Sequence, residues 1–126
     1  MEIIAEIGWN HLGDMELASK MITSAKNSGA TIAKFQLWDP EIMRHGDWDK
    51  DGRIEIYKKA KLDNKNMLYL EEICKNQKIE ILFSAFGSLG AERLADLNFK
   101  SIKIPSHEIN NKKLIDFCSK KFEKIY

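Results

Sequence analysis

The feature that most constrains this chain is a repeated change of hydrophobic period. Short β-branched runs alternate with amphipathic stretches, and each short run turns polar at its C-terminal end. Glu2–Gly8 is the first such run. Asp14–Ser28 follows with Leu17, Ala18, Met21, Ile22 and Ala25 at helical spacing, between a candidate cap at Asp14 and a helix-stopping Gly29. Thr31–Leu37 reads as a strand, Asn64–Gln77 as a helix burying Met67, Leu70, Ile73 and Cys74, and Ile79–Ala85 as a strand. Ser88–Leu97 is then a helix with Leu89, Leu94 and Leu97 inward, and Ser101–Pro105 a strand. Asn111–Phe122 is the last helix, with Leu114, Ile115, Cys118 and Phe122 as its stripe and Asn110 or Asn111 as its cap. Repeated βα units imply parallel strands joined by right-handed crossovers. Two architectures accept this order: an open doubly wound sheet, or part of a (β/α)₈ barrel. Neither GxGxxG nor GxxxxGK[ST] occurs, so the dinucleotide and P-loop versions of an open sheet lose their main support.

A strand buried on both faces of a parallel sheet should be nearly all apolar. Here the first strand carries Glu6, the second Lys34 and Gln36 on one face, the third Ser84 and the fourth Lys103, with Ser106 and Glu108 just beyond it. A lysine inside Ile32–Phe35 or Ile102–Ile104 is costly to bury without a partner. Both architectures place ligands at the carboxyl ends of their strands, so the pattern marks a site before it marks a fold. Two lysines, two serines and nearby backbone amides suit an anion, most naturally a phosphate. A neighbouring carboxylate, Glu6 or Glu108, can orient a hydroxyl or move a proton. The plainer alternative is that Lys34 and Lys103 pair with Glu6 and Glu108 as structural ion pairs.

Composition narrows the class. The 126 residues suggest one domain, and 44% hydrophobic content suffices for a packed core. The net charge of +1 argues against nucleic acid held by bulk electrostatics. No apolar run approaches the ~20 residues of a membrane span, and the start, Met1–Glu6, lacks a basic secretory leader. Cys74 and Cys118 form no CxxC and fall in helical patterns, which fits buried thiols in a reducing cytoplasm.

The strand ends carry a resemblance. Ile4–Asp14 resembles the opening motif, AEIGxNHxGD, of the sialic acid synthase family, which includes N-acetylneuraminate synthase and its legionaminate and pseudaminate relatives. Ala30–Gln36 is similar to its GA..VKFQ strand, Phe83–Phe86 to its STPF strand end and Lys103–Asn111 to its KIPSGEI.N turn. The resemblance implies condensation of phosphoenolpyruvate with an N-acyl amino sugar, N-acetylmannosamine or a modified hexose, on a (β/α)₈ barrel. It implies a divalent metal, manganese or magnesium, to polarise the sugar aldehyde, held by histidines of later strands that this chain lacks. By the same resemblance Lys34 and Lys103 hold the phosphate and carboxylate of phosphoenolpyruvate, Ser84 and Ser106 contact it, and Glu6 and Glu108 are the catalytic carboxylates. Asn10, His11 and Gln36 match motif positions of less defined role, and His11 is expected to face the site.

A (β/α)₈ barrel takes about 250 residues. Residues 1–126 are therefore expected to form the N-terminal half of one, four βα units with parallel strands, with Lys124–Tyr126 opening a fifth strand and the later strands and an antifreeze-like domain absent. Such a half leaves open sheet edges. The alternative function is thus a non-catalytic half-barrel unit that dimerises through those edges. A homodimer, no nucleic acid and no membrane are the expected partner set beside the two substrates, and the expected location is cytoplasmic. His107 stands where the family has Gly, and a Cβ there reshapes the turn or adds a donor. Between strands two and three, Trp38 to about Leu62 is a long polar excursion. His45 is expected there in solvent, and Trp38 and Trp48 either cover a sugar face or anchor the loop. Asp47–Glu55 resembles the first part of a calcium loop, but Lys58 occupies the position that needs a bidentate glutamate.

Overall fold

A computed structural model describes residues 1–41 and 46–126. His45 lies outside the described residues, and so does the side chain of Trp48. The chain runs β1 (Ile4–Gly8), α1 (Met15–Asn27), β2 (Ile32–Leu37), α2 (Arg53–Ala60), α3 (Asn64–Asn76), β3 (Glu80–Ala85), α4 (Ser88–Asp96), β4 (Ser101–Ile102), α5 (Lys112–Lys121) and β5 (Lys124–Ile125). Short polar side chains start three of the helices by satisfying orphan amides. Asp14 accepts from Glu16 and Leu17, at 2.9 and 3.0 Å. Asp63 accepts from Asn66 at 2.7 Å, and Asn111, not Asn110, accepts from Leu114 at 3.1 Å.

All strand pairs are parallel: β1 with β2, β2 with β3, and β4 with β5. A parallel bridge between Ser84 and Lys103 joins β3 to β4, with the Lys103 amide donating to the Phe83 carbonyl at 2.9 Å. The strand order is therefore the chain order. A doubly wound sheet reverses its order at a switch point; this one does not. Right-handed crossovers in such an order put every helix on one side. Along β2, Ala33, Phe35 and Leu37 are buried in the main apolar cluster with Ile22, Met67, Leu70 and Leu94, while Lys34 and Gln36 point the other way and are half-buried. Full burial of a side chain such as Phe83, at 0% exposure, is worth about 1.5–3 kcal/mol.

The structure corrects several expectations. The polar excursion contains α2, whose Tyr57 and Ala60 are buried. Eight residues with only two buried give a weak periodic signal. Leu89 is 57% exposed, because the inward face of α4 is set by Ala91 and Leu94. Leu89 lies five residues before Leu94, about 140° away around the helix. Ile115 is similarly on the outer side of α5. β4 is limited to Ser101–Ile102, shorter than expected, while the Lys124–Ile125 strand does pair alongside it. In the calcium-like loop, Asp51 is engaged by Arg53, whose Nε donates to Oδ2 at 2.8 Å. The guanidinium holds that carboxyl below its usual range. Among the described residues, no helix is long and apolar enough to cross a membrane.

Candidate functional site

Parallel pairing brings the polar strand ends to one rim. Glu6 lies opposite Lys34, Gln36 opposite Ser84, and Ser84 opposite Lys103. A two-residue side-chain period then puts these groups on the face away from the helices. The Lys34 ammonium forms an ion pair with Glu6 and donates to the Ser84 hydroxyl at 3.4 Å. Lys34 is only 13% exposed whereas Glu6 is 49% exposed, so the cation is shielded and its partner is open to exchange. Gly8 makes this turn possible. Its φ of +62° follows a register shift between Glu6 and Gly8, a backbone conformation that a side chain would strain.

Lys103 differs from Lys34. Its ammonium donates to the Ile104 carbonyl and, among the described residues, meets no carboxylate. Of the two ion pairs the sequence suggests, Lys34 with Glu6 is formed and Lys103 with Glu108 is not. Glu108 is turned instead towards the start of α5, where its Oε2 accepts from Asn111 Nδ2 at 2.8 Å. Its Oε1 lies 3.8 Å from His107 Nε2. Ser106 is exposed on the same 3₁₀ turn, Ser106–Glu108. Gln36 accepts from the Trp38 indole at 3.0 Å. Asn10 is less committed to the rim, since its side-chain amide turns back to the Ile7 carbonyl at 2.9 Å.

His11 is placed differently from expectation. It is 0% exposed and meets the edge of Phe35 at 5.8 Å between centroids, on the helix side of β2. Its Nδ1 accepts from the Gly13 amide at 3.1 Å. That bond fixes the proton on Nε2, which has no partner among the described residues. Burial pushes the imidazole below its usual range. The motif histidine therefore shapes the β1–α1 loop and does not face the rim.

Sequence reading missed a set of stacked rings above the rim. Trp38 stacks on Tyr57, with centroids 4.5 Å apart and planes 8° apart, and on Phe86 at 3.9 Å and 25°. Phe86 in turn stacks on His107 at 5.1 Å and 25°. Trp9 meets Trp38 edge-on at 5.5 Å and Tyr57 at 4.9 Å. Trp38 is thus an anchor held by rings on both faces, not an open sugar platform. A signal was available in the chain: Trp9, Trp38 and Phe86 each stand immediately after a strand.

The chain is similar to known proteins along most of its length. The chain is 31% identical to the N,N'-diacetyllegionaminic acid synthase of Legionella pneumophila, over 94% of this chain and 36% of that protein. It is 35% identical to the N-acetylneuraminate-9-phosphate synthase of Mus musculus, over 94% of this chain and 36% of that protein. The chain therefore spans little more than a third of these relatives. The fold superposes on the N-acetylneuraminic acid (sialic acid) synthetase of Leptospira borgpetersenii, solved in complex with citrate, with a TM-score of 0.78 and 28% identity over 94% of this chain and 40% of that one. It also superposes on the spore coat polysaccharide biosynthesis protein spsE of Bacillus subtilis, with a TM-score of 0.74 and 28% identity over 92% of this chain and 32% of that one. Residues 21–126 match the model of the NeuB family, and the chain belongs to that family of sugar acid synthases.

Proposed function

We propose that the rim binds phosphoenolpyruvate, and that the chain supplies this part of a synthase that condenses it with an N-acyl amino sugar, N-acetylmannosamine or a related hexose. In this reading the structure is the N-terminal half of a (β/α)₈ barrel, four βα units and the first residues of a fifth strand. The observation that carries the reading is that Ser84 stands between the two lysines, accepting from Lys34 at 3.4 Å and bridging to Lys103 just past β4, with no carboxylate on Lys103 among the described residues. Two lysines match a ligand with a phosphate and a carboxylate, and preorganised cations serve best where charge develops as phosphate leaves. Citrate in the Leptospira relative is likewise a small polyanion.

The proposed reaction joins C3 of phosphoenolpyruvate to the aldehyde carbon of the sugar. Water adds at C2, and the C2–O bond then breaks with its electron pair leaving on phosphate. Lys34 and Lys103 hold the phosphate and carboxylate, and Ser84 and Ser106 donate to them. Glu6, half exposed beside Lys34, is placed to orient a sugar hydroxyl or water; Glu108 fixes the turn that carries Ser106. The metal of the resemblance does not fit these residues. No group of three or more His, Cys, Asp or Glu able to hold an ion occurs among the described residues, and Glu6 and Glu108 are engaged by Lys34 and Asn111. In the proposal any metal ligands belong to the rest of the synthase, and the chain alone binds phosphoenolpyruvate without turnover.

Titration with phosphoenolpyruvate, followed on the Lys34 and Lys103 side-chain resonances, tests the reading. Both should shift; no binding of phosphoenolpyruvate or phosphate at millimolar concentration overturns it. A second reading, a half-barrel interaction unit, is favoured by Ile4 and Ile125, 38% and 40% exposed on the first and last strands. Sedimentation decides it: a dimer supports edge closure, a monomer at high concentration removes it.

A further inference from the structure

His107 is more than half exposed, yet its ring is not idle. It is the outermost ring of the stack Tyr57–Trp38–Phe86–His107. These rings come from the segments after β2, β3 and β4 and from α2, so the stack crosses three strand-to-helix connections. Within its own turn, Glu108 donates its amide to Pro105 at 2.9 Å, and Asn111 donates to Glu108 at 2.8 Å. Those bonds fold the turn locally but tie it to no other loop. The ring contact with Phe86 joins the Ser106–Glu108 turn to the loop after β3, which begins two residues after Ser84.

We propose that His107 is a positioning residue whose ring, stacked on Phe86, fixes the Ser106–Glu108 turn against the β3 loop and so sets the distance across the rim between Ser106 and the Lys103–Ser84 pair. The part concerning ligand rests on the phosphoenolpyruvate reading above; the part concerning the turn does not. The stack asks for a flat ring at this place, not for the imidazole nitrogens. Glu108, at 3.8 Å, is the charged group facing those nitrogens, and Asn111 already holds its other oxygen.

Three chains test this: wild type, His107→Ala and His107→Phe. Amide hydrogen exchange at residues 106–109, without ligand, should speed several-fold in His107→Ala and return to wild-type values in His107→Phe. Phosphoenolpyruvate affinity should fall about three- to tenfold in His107→Ala, the factor a ring pair supplies, and recover to within about twofold in His107→Phe. Unchanged exchange in His107→Ala overturns the proposal. So does a failure of His107→Phe to restore exchange, which would assign the role to the nitrogens. If wild type binds no phosphoenolpyruvate, the functional reading fails while the exchange data still decide the role of His107.

Discussion

The two ends of the parallel strands are built from similar residues and differ in how their charges are matched. At the N-terminal ends, Lys124 pairs with Glu2, Tyr126 donates to the same carboxylate at 3.1 Å, and Lys100 meets Glu123 at 3.1 Å. Glu2 lies two and four residues before Ile4 and Glu6, so its side chain shares their face, and its bond to Lys124 spans from the first strand to the last. At the C-terminal ends, Lys34 has one half-exposed carboxylate and Lys103 has a backbone carbonyl. Charges are matched at the floor, whereas the Lys103 ammonium at the rim meets a backbone carbonyl and, among the described residues, no carboxylate. A polar residue on a buried strand becomes informative about function only when its partners are known.

The rim also depends on its backbone. Gly13 has φ +83°, and a Cβ there would lie 2.2 Å from the Lys59 carbonyl, whereas Gly29 at the floor has φ +88° and open space around it. Gly13→Ala should cost about 2–5 kcal/mol, from left-handed strain plus overpacking, and Gly29→Ala only about 1–2 kcal/mol. Urea midpoints at constant m-value measure both; equal losses would mean that α2 yields to the β1–α1 loop.

Charge matching predicts a functional contrast of the next size. Lys103→Met should weaken phosphoenolpyruvate binding by about ten- to a hundredfold, the loss of one charge-assisted hydrogen bond. Lys124→Met at the floor should leave that affinity unchanged. Calorimetry on both variants checks this, and comparable losses would erase the distinction between the ends.

Acid should act on the two ends in different windows. His11 has a folded pKa held below its unfolded value by burial. The unfolded state then binds the extra proton first, and stability declines as pH falls below about 6.5. Glu2 is lowered chiefly by its bond to Lys124. Its contribution is present above about 4.5 and is lost as pH falls further. Urea midpoints from pH 7 to 4 should show a steeper wild-type slope below 6.5 than His11→Phe, and Glu2→Gln should flatten only the most acidic part. The smallest expected effect is at the thiols. Burial, with Glu71 nearby, pushes Cys74 up to about 12, and burial also raises Cys118. Neither should react with a disulfide reagent at pH 8 until the chain unfolds, which a thiol assay with and without urea shows.

Much of this was legible beforehand because it is encoded locally. A period of two inside apolar runs placed Lys34, Gln36, Ser84 and Lys103 at strand ends, and Asp14 and Asn111 announced helix starts. What escaped were contacts between distant positions with no period to reveal them. Helix α2 buries just Tyr57 and Ala60, His11 reads as polar yet lies under Phe35, and the ring stack links residues tens of positions apart.

Local patterning set the order of the strands and of every helix but α2, and the face of each strand that carries polar groups, since both follow from backbone geometry over a few residues. Tertiary contacts were needed to establish that the strands pair in chain order, that Lys34 meets Glu6 while Lys103 does not meet Glu108, and that Glu2 reaches Lys124. Those outcomes depend on which segments become neighbours across space, and pairing energies between distant side chains leave no trace in local periodicity.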